Sequence, residues 1–117
     1  MGYVYVLLCR KDDYSVLYVG STLRPCLARV DEHKQGFGSK YTAKFPEIEL
    51  VALLEVPKTN ARSVEMHLKK NRRLVQDVVT YCQTGVRQPA VDHLERWLRE
   101  HKIAFKWCPV PAASGRW

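Results

Sequence analysis

Two short apolar runs at the start of the chain, residues 2–8 (GYVYVLL) and 15–20 (SVLYVG), constrain its fold more than any other feature. The segment between them carries Arg10, Lys11, Asp12 and Asp13. Both runs are rich in β-branched and aromatic residues with turn formers between, which predicts the two strands of a hairpin and the start of a sheet. Side chains alternate across a strand, so Tyr3 and Tyr5 share one face and Val4 and Val6 the other. Tyr18 stands two residues before Gly20, and a glycine there can turn the chain sharply or bring it close to a ligand. Two phenols are therefore expected near one another at a sheet edge. Tyrosine is also common in strands simply because it covers a half-buried face, and a hairpin by itself is usually scaffolding.

The next segment predicts a helix over residues 25–34. Pro25 suits a first turn, Thr22 or Arg24 lies near the cap, and Leu23, Leu27 and Val30 recur at helical spacing. Arg29 and His33 are four apart and share a helix face, although on spacing alone a solvated face is the simpler reading. Residues 35–46 form a loop in which Phe37, Lys40, Tyr41 and Lys44 mix cations with flat rings. That mixture suits a phosphate backbone with splayed bases, and equally a solvated connector. Residues 47–56 begin by alternating and become largely apolar, as a third, central strand does.

Pro57 ends that strand, and Thr59 or Asn60 is positioned to cap a helix whose Ala61, Val64, Leu68 and Val75 form one apolar stripe. Glu65 falls at the margin of the stripe. A carboxylate there could face a cleft and hold a divalent cation, although glutamate on a helix is usually a surface residue. Lys69, Lys70, Arg72 and Arg73 follow, a basic run that is either a solvated face or a grip on a phosphate backbone. His67 has no partner in the sequence and reads as surface. Gly85 interrupts the pattern, and Pro89 opens a further helix with Val91, Leu94 and Leu98 as its stripe and Trp97 alongside. Residues 103–107 suggest a short strand, and residues 109–115 a tail that does not pack.

Taken in order, these residues resemble the GIY-YIG nucleases, in particular their small single-domain members. Tyr3, Val4 and Tyr5 correspond to the first motif, with Tyr5 at its tyrosine, and Tyr18, Val19 and Gly20 to the second. Arg29 and His33 match the family's helix arginine and the histidine one turn later. Gly36, Gly38, Lys40, Tyr41 and Thr42 look like the loop of the small members, and Glu65 falls at the metal-binding glutamate. The resemblance covers residues 2 to about 70. No motif is specific alone; five in the right order are. Two departures stand out: Tyr3 replaces the glycine of the first motif, and the Asn or Gln that often follows the glutamate has only Asn71, which comes early.

The resemblance implies an α+β fold, a small three-stranded, mainly antiparallel sheet flanked by helices. A nuclease core would span residues 1–80, a helical extension packed on it residues 81–108, and a tail residues 109–117. It also implies a metal-dependent endonuclease. Tyr5 would take part in activating the attacking water, Tyr18 and His33 would orient or share its proton, Arg29 would stabilise the phosphate, and Glu65 would hold one Mg²⁺ or Mn²⁺. A phenol acts as a base near neutral pH only where a cation stabilises the phenolate, and Arg or the metal would supply that. Lys40, Tyr41, Lys44, Lys69, Lys70, Arg72 and Arg73 are the expected nucleic-acid contacts, with DNA favoured over RNA and DNA repair as the setting. The rival readings are a non-catalytic nucleic-acid-binding module with the same fold, a subunit of a larger repair nuclease, and an interaction protein forming a homodimer through the Trp97 helix.

Composition narrows the field in the same direction. At 117 residues the chain is long enough for one domain with its own core. No apolar run approaches the roughly 20 residues that span a bilayer. The run at residues 4–8 lacks the basic flank and cleavage site of a signal peptide, so an intracellular site, cytoplasmic or nucleoid-associated, is expected with no membrane partner. Cys9, Cys26, Cys82 and Cys108 fit no common zinc or disulfide spacing and read as mostly buried free thiols. The net charge of +7 is uneven: residues 1–58 hold 8 Lys and Arg against 7 Asp and Glu, and residues 59–117 hold 11 against 5. A basic half beside a near-neutral half points to a polyanion, and nucleic acid is the first candidate.

Overall fold

The computed structural model describes residues 1–23 and 42–110. The helix expected over residues 25–34, with Arg29 and His33, lies outside the described residues, as do Cys26, Lys40, Tyr41 and the end of the tail. The hairpin is present: β1 (Gly2–Lys11) pairs antiparallel with β2 (Tyr14–Thr22) around the turn at Asp12 and Asp13. Asp12 adopts φ 56°, a left-handed conformation that short polar side chains tolerate in tight turns. On its other side β1 pairs antiparallel with β3 (Glu47–Val56).

The sheet has four strands rather than the expected three, in the order β2-β1-β3-β4. The fourth, β4 (Lys106–Trp107), pairs with Leu54 and Glu55 on the outer edge of β3. Its Trp107 is tied to a carboxylate remote from it in sequence. Glu95 is buried and receives Trp107 Nε1 at 2.8 Å, Arg87 through both guanidinium nitrogens at 2.8 and 3.0 Å, and Arg99 at 3.3 Å. A buried carboxylate is costly unless its oxygens are satisfied, and these donors satisfy both.

A register shift between Val6 and Leu7 of β1 leaves Val51 as an extra residue in β3. A bulge of this kind lets adjacent residues face the same side. Val51 and Ala52 both enter the main core, while Ile48, Leu50 and Leu53 pack on the opposite face. The apolar character of residues 50–54 thus reflects a strand buried on both sides.

Among the described residues the helices cover one face of the sheet. They are α1 (Ala61–Lys69), α2 (Arg72–Thr84) and α3 (Pro89–Glu100). Their buried residues Val64, Leu68, Val75, Val78, Leu94 and Leu98 join Val4, Val6 and Leu8 in one cluster. Each such side chain contributes about 1.5–3 kcal/mol by leaving water, so α3 is part of the core itself. The single stripe expected from Ala61 to Val75 is divided between two helices. Asn71 is extended, and its side chain accepts from the Leu74 N–H at 3.2 Å, capping α2. At α1, Asn60 occupies the cap position after a 3₁₀ turn (Lys58–Asn60), but its side chain makes no cap bond. Gly85 closes α2 in the left-handed region at φ 76°, and Pro89 is the first residue of α3. Among the described residues no helix is long and apolar enough to cross a membrane.

Candidate active site

The other face of the sheet carries the phenols. Tyr5 is 1% exposed and packs with Leu7, Cys9 and Ile48, against which Tyr3, Tyr18 and Phe45 also lie. In the register of the hairpin Tyr5 stands opposite Gly20 and Leu7 opposite Tyr18, so Tyr5 and Tyr18 are diagonal neighbours on one face. Gly20 sits within β2 and makes no turn. Its role is to leave room: a Cβ there would lie 2.5 Å from the Tyr5 hydroxyl oxygen and 2.6 Å from Cζ. The missing side chain is what allows the Tyr5 ring to lie across the edge strand.

The carboxylate arrives from the other face. Val64 and Leu68 bury the inner side of α1, and Glu65, beside Val64 at the margin of the stripe, is carried inward with them to 3% exposure. Ser21 Oγ donates to Glu65 Oε1 at 2.5 Å, and Lys69 Nζ sits 2.6 Å from Oε2, with Arg62 farther out at 3.9 Å. Burial by itself would raise the Glu65 carboxyl, but the Lys69 and Ser21 hydrogen bonds and the Lys69 and Arg62 charges together hold it below the usual carboxylate range. Ser21 pairs with Val4 and shares the helix-covered face, whereas Gly20 shares the face of Tyr5. Two consecutive residues of β2 therefore meet the Tyr5 phenol on one face and the Glu65 carboxylate on the other.

Of the basic run, the break at Asn71 sends its members in different directions. Lys69 is paired with Glu65 and, together with Arg72, lines a groove of 530 Å³ along β2 that Tyr14, Tyr18 and Gln76 also border. Lys70 lies in a second cleft with Arg62, His67 and Trp97, and Arg73 is exposed. Lys44 is exposed at the end of a 3₁₀ turn (Thr42–Lys44) whose Thr42 is buried, next to Phe45, whose ring stacks on Tyr14 at 6.1 Å. His67 is not a surface residue. It is half-buried and stacked on Trp97 at 4.0 Å and 13°, with His101 against the same indole at 4.7 Å. Burial, then the Lys70 and His101 charges, push its imidazole below the usual range. The helix pairing behind that stack has no signature in the sequence.

Sequence reasoning passes over Ser21. The signal is a hydroxyl on the strand face whose neighbours Val4 and Val19 are core residues. Among the described residues no group of three or more His, Cys, Asp or Glu comes together. A cation at this end of β2 would be held by Glu65 with the Ser21 hydroxyl beside it. Both are hard oxygen donors, and magnesium commonly takes one or two carboxylates, leaving its other positions to water and substrate phosphates. The donor set fits.

An antiparallel sheet with helices on one face, whose edge strand meets a phenol and a carboxylate from opposite faces at consecutive residues, is the framework of the site. The chain belongs to the GIY-YIG family: the GIY-YIG catalytic domain matches residues 1–76. No curated protein and no solved structure matches the chain.

Proposed function

We propose that the protein is a metal-dependent endonuclease that hydrolyses phosphodiester bonds in DNA within an intracellular repair process. The observation that carries this reading is the approach of Tyr5 and Glu65 to the consecutive residues Gly20 and Ser21. When bound, Mg²⁺ or Mn²⁺ supplies Lewis-acid polarisation of a phosphoryl oxygen and stabilises the leaving group. Glu65 holds the cation and Ser21 fixes the carboxylate. Tyr5 is a packed ring with one orientation, as a group that handles a water proton at a defined position requires. Tyr18 and His33 orient or share that proton, and Arg29 offers planar, bidentate donors to the phosphate. Lys44, Lys70, Arg72 and Arg73, with Lys40 and Tyr41, hold the backbone of the nucleic acid.

The test is incubation of wild type and Glu65→Gln with labelled single-stranded, duplex and branched DNA, and with RNA counterparts, in Mg²⁺, Mn²⁺ or EDTA. Wild type should cut DNA with metal and not with EDTA, and the variant should bind but cut far more slowly. Undiminished cutting by Glu65→Gln would remove the assigned role. The Lys69 ammonium already resting on Glu65 favours a second reading, a nucleic-acid-binding module without catalysis, which would bind and leave every substrate intact under either metal.

A further inference from the structure

We infer that Lys69 is an exchangeable cation: it neutralises Glu65 in the resting protein, and on loading it moves from the carboxylate to a phosphate of the nucleic acid. This rests on Glu65 being the metal ligand, as proposed above. Three observations carry it. The Lys69 ammonium lies 2.6 Å from Oε2 while Ser21 holds Oε1, so Lys69 takes the carboxylate oxygen that the serine leaves. Glu65 is 3% exposed, and a carboxylate so buried needs a counter-charge at all times. Lys69 is the last residue of α1, partly exposed, and it also lines the groove along β2 beside Arg72 on α2.

A lysine is suited to this exchange. Its ammonium is a compact charge on a four-carbon stem with freely rotating donors, whereas an arginine fork would be committed to the carboxylate. A divalent cation arriving at Oε2 and the ammonium compete for one oxygen and repel each other, so one must leave. The groove gives the ammonium a destination. With a phosphate between Lys69 and Arg72 the lysine is satisfied away from Glu65, and occupancy of the groove by nucleic acid should tighten metal binding. By linkage, metal should tighten nucleic-acid binding by the same factor.

The experiment is calorimetric titration of Mn²⁺ into wild type, Lys69→Met, Lys69→Gln, Lys69→Arg and Glu65→Gln, with and without a short phosphorothioate oligonucleotide, each variant first checked by thermal melting. Removing the competing charge should tighten Mn²⁺ binding roughly tenfold or more in Lys69→Met, about the worth of one charge-assisted hydrogen bond. Lys69→Gln should do the same and decides the matter if the methionine variant melts too low to titrate. Lys69→Arg, whose fork stays on the carboxylate, should bind Mn²⁺ no better than wild type and lose the tightening that the oligonucleotide brings. The oligonucleotide should tighten binding in wild type more than in Lys69→Gln, where no ammonium is left to draw away. If Glu65→Gln abolishes binding but the neutral Lys69 variants bind no better than wild type, the exchange is overturned and the metal role of Glu65 stands. If Glu65→Gln binds as tightly as wild type, or no variant binds, both are overturned.

Discussion

Ser21 Oγ donates to Glu65 Oε1 at 2.5 Å across 44 positions of sequence. One residue follows the glycine of the second motif, and the other sits in the middle of α1. The bond joins the edge strand of the sheet to the helix above it. It gives the carboxylate a fixed orientation that apolar packing of Val64 and Leu68 could not supply.

Stability should report on that carboxylate as pH falls. In the folded chain Glu65 titrates below its usual range, because Lys69, Ser21 and Arg62 outweigh the effect of burial. An unfolded glutamate titrates near about 4.3. Folding therefore favours the ionised form, and the stabilisation is fully present above about pH 4.3 and lost as pH drops through the folded value. Urea unfolding of wild type and Glu65→Gln from neutral to acidic pH should show a gap that narrows below that point. A gap that is constant with pH would contradict the assignment.

The glycine beneath Tyr5 offers a sharper test. In Gly20→Ala the new methyl would lie 2.5 Å from the Tyr5 hydroxyl oxygen, so the ring must shift, at a cost of about 1–3 kcal/mol for an overpacked site. Tyr5→Phe should lose only about 1 kcal/mol with its hydroxyl. If that hydroxyl takes part in proton transfer, single-turnover cleavage by Tyr5→Phe should drop roughly 100-fold with binding unchanged. A folded Tyr5→Phe that binds and cuts at the wild-type rate would remove Tyr5 from the mechanism.

Much of this arrangement is legible in the sequence, and the exceptions have physical causes. The hairpin, the face shared by Tyr3 and Tyr5, β3 and the start of α3 at Pro89 all follow from period-two alternation, turn chemistry and proline. The division of α1 from α2 is hidden because Val64, Leu68 and Val75 keep helical spacing across it, and only the Asn71 side chain marks the boundary. β4 is hard to define because two residues carry no periodicity, and its Trp107 bonds to Glu95 on a different element. Glu65 is identified by its place in a motif, while its depth and its pairing with Lys69 depend on how α1 is rolled against the sheet. Tertiary packing decides that angle.

Salt dependence should separate the members of the basic run. If Lys70, Arg72 and Arg73 touch phosphates, changing each to Gln should weaken nucleic-acid binding and reduce the slope of log affinity against log salt by about one for every phosphate no longer neutralised. Lys70 lies in a different cleft from Arg72, so the two need not contribute equally to a short ligand. A slope untouched by all three changes would mean a solvated surface.

Glu95→Gln keeps the shape of the side chain and removes the charge that Arg87, Arg99 and Trp107 share. The expected loss is about 1–3 kcal/mol, typical of hydrogen bonds to a charged group. β4 should loosen first. The Cys108 N–H, which donates to Leu53 O at 3.0 Å, should exchange with solvent faster, and unchanged exchange there would show that the strand does not depend on Glu95.

The stretch that matches the family ends at residue 76, well inside α2, and Val78, Val79, Val91, Leu94 and Leu98 of the same core lie beyond it. A fragment trimmed to the matched stretch would carry Glu65 with much of the core behind α1 cut away, whereas the residues packed around Tyr5 all lie within it. One hydrophobic core therefore runs past the stretch by which the family is recognised, and the helix that carries Glu65 leans on residues that hold none of the motifs.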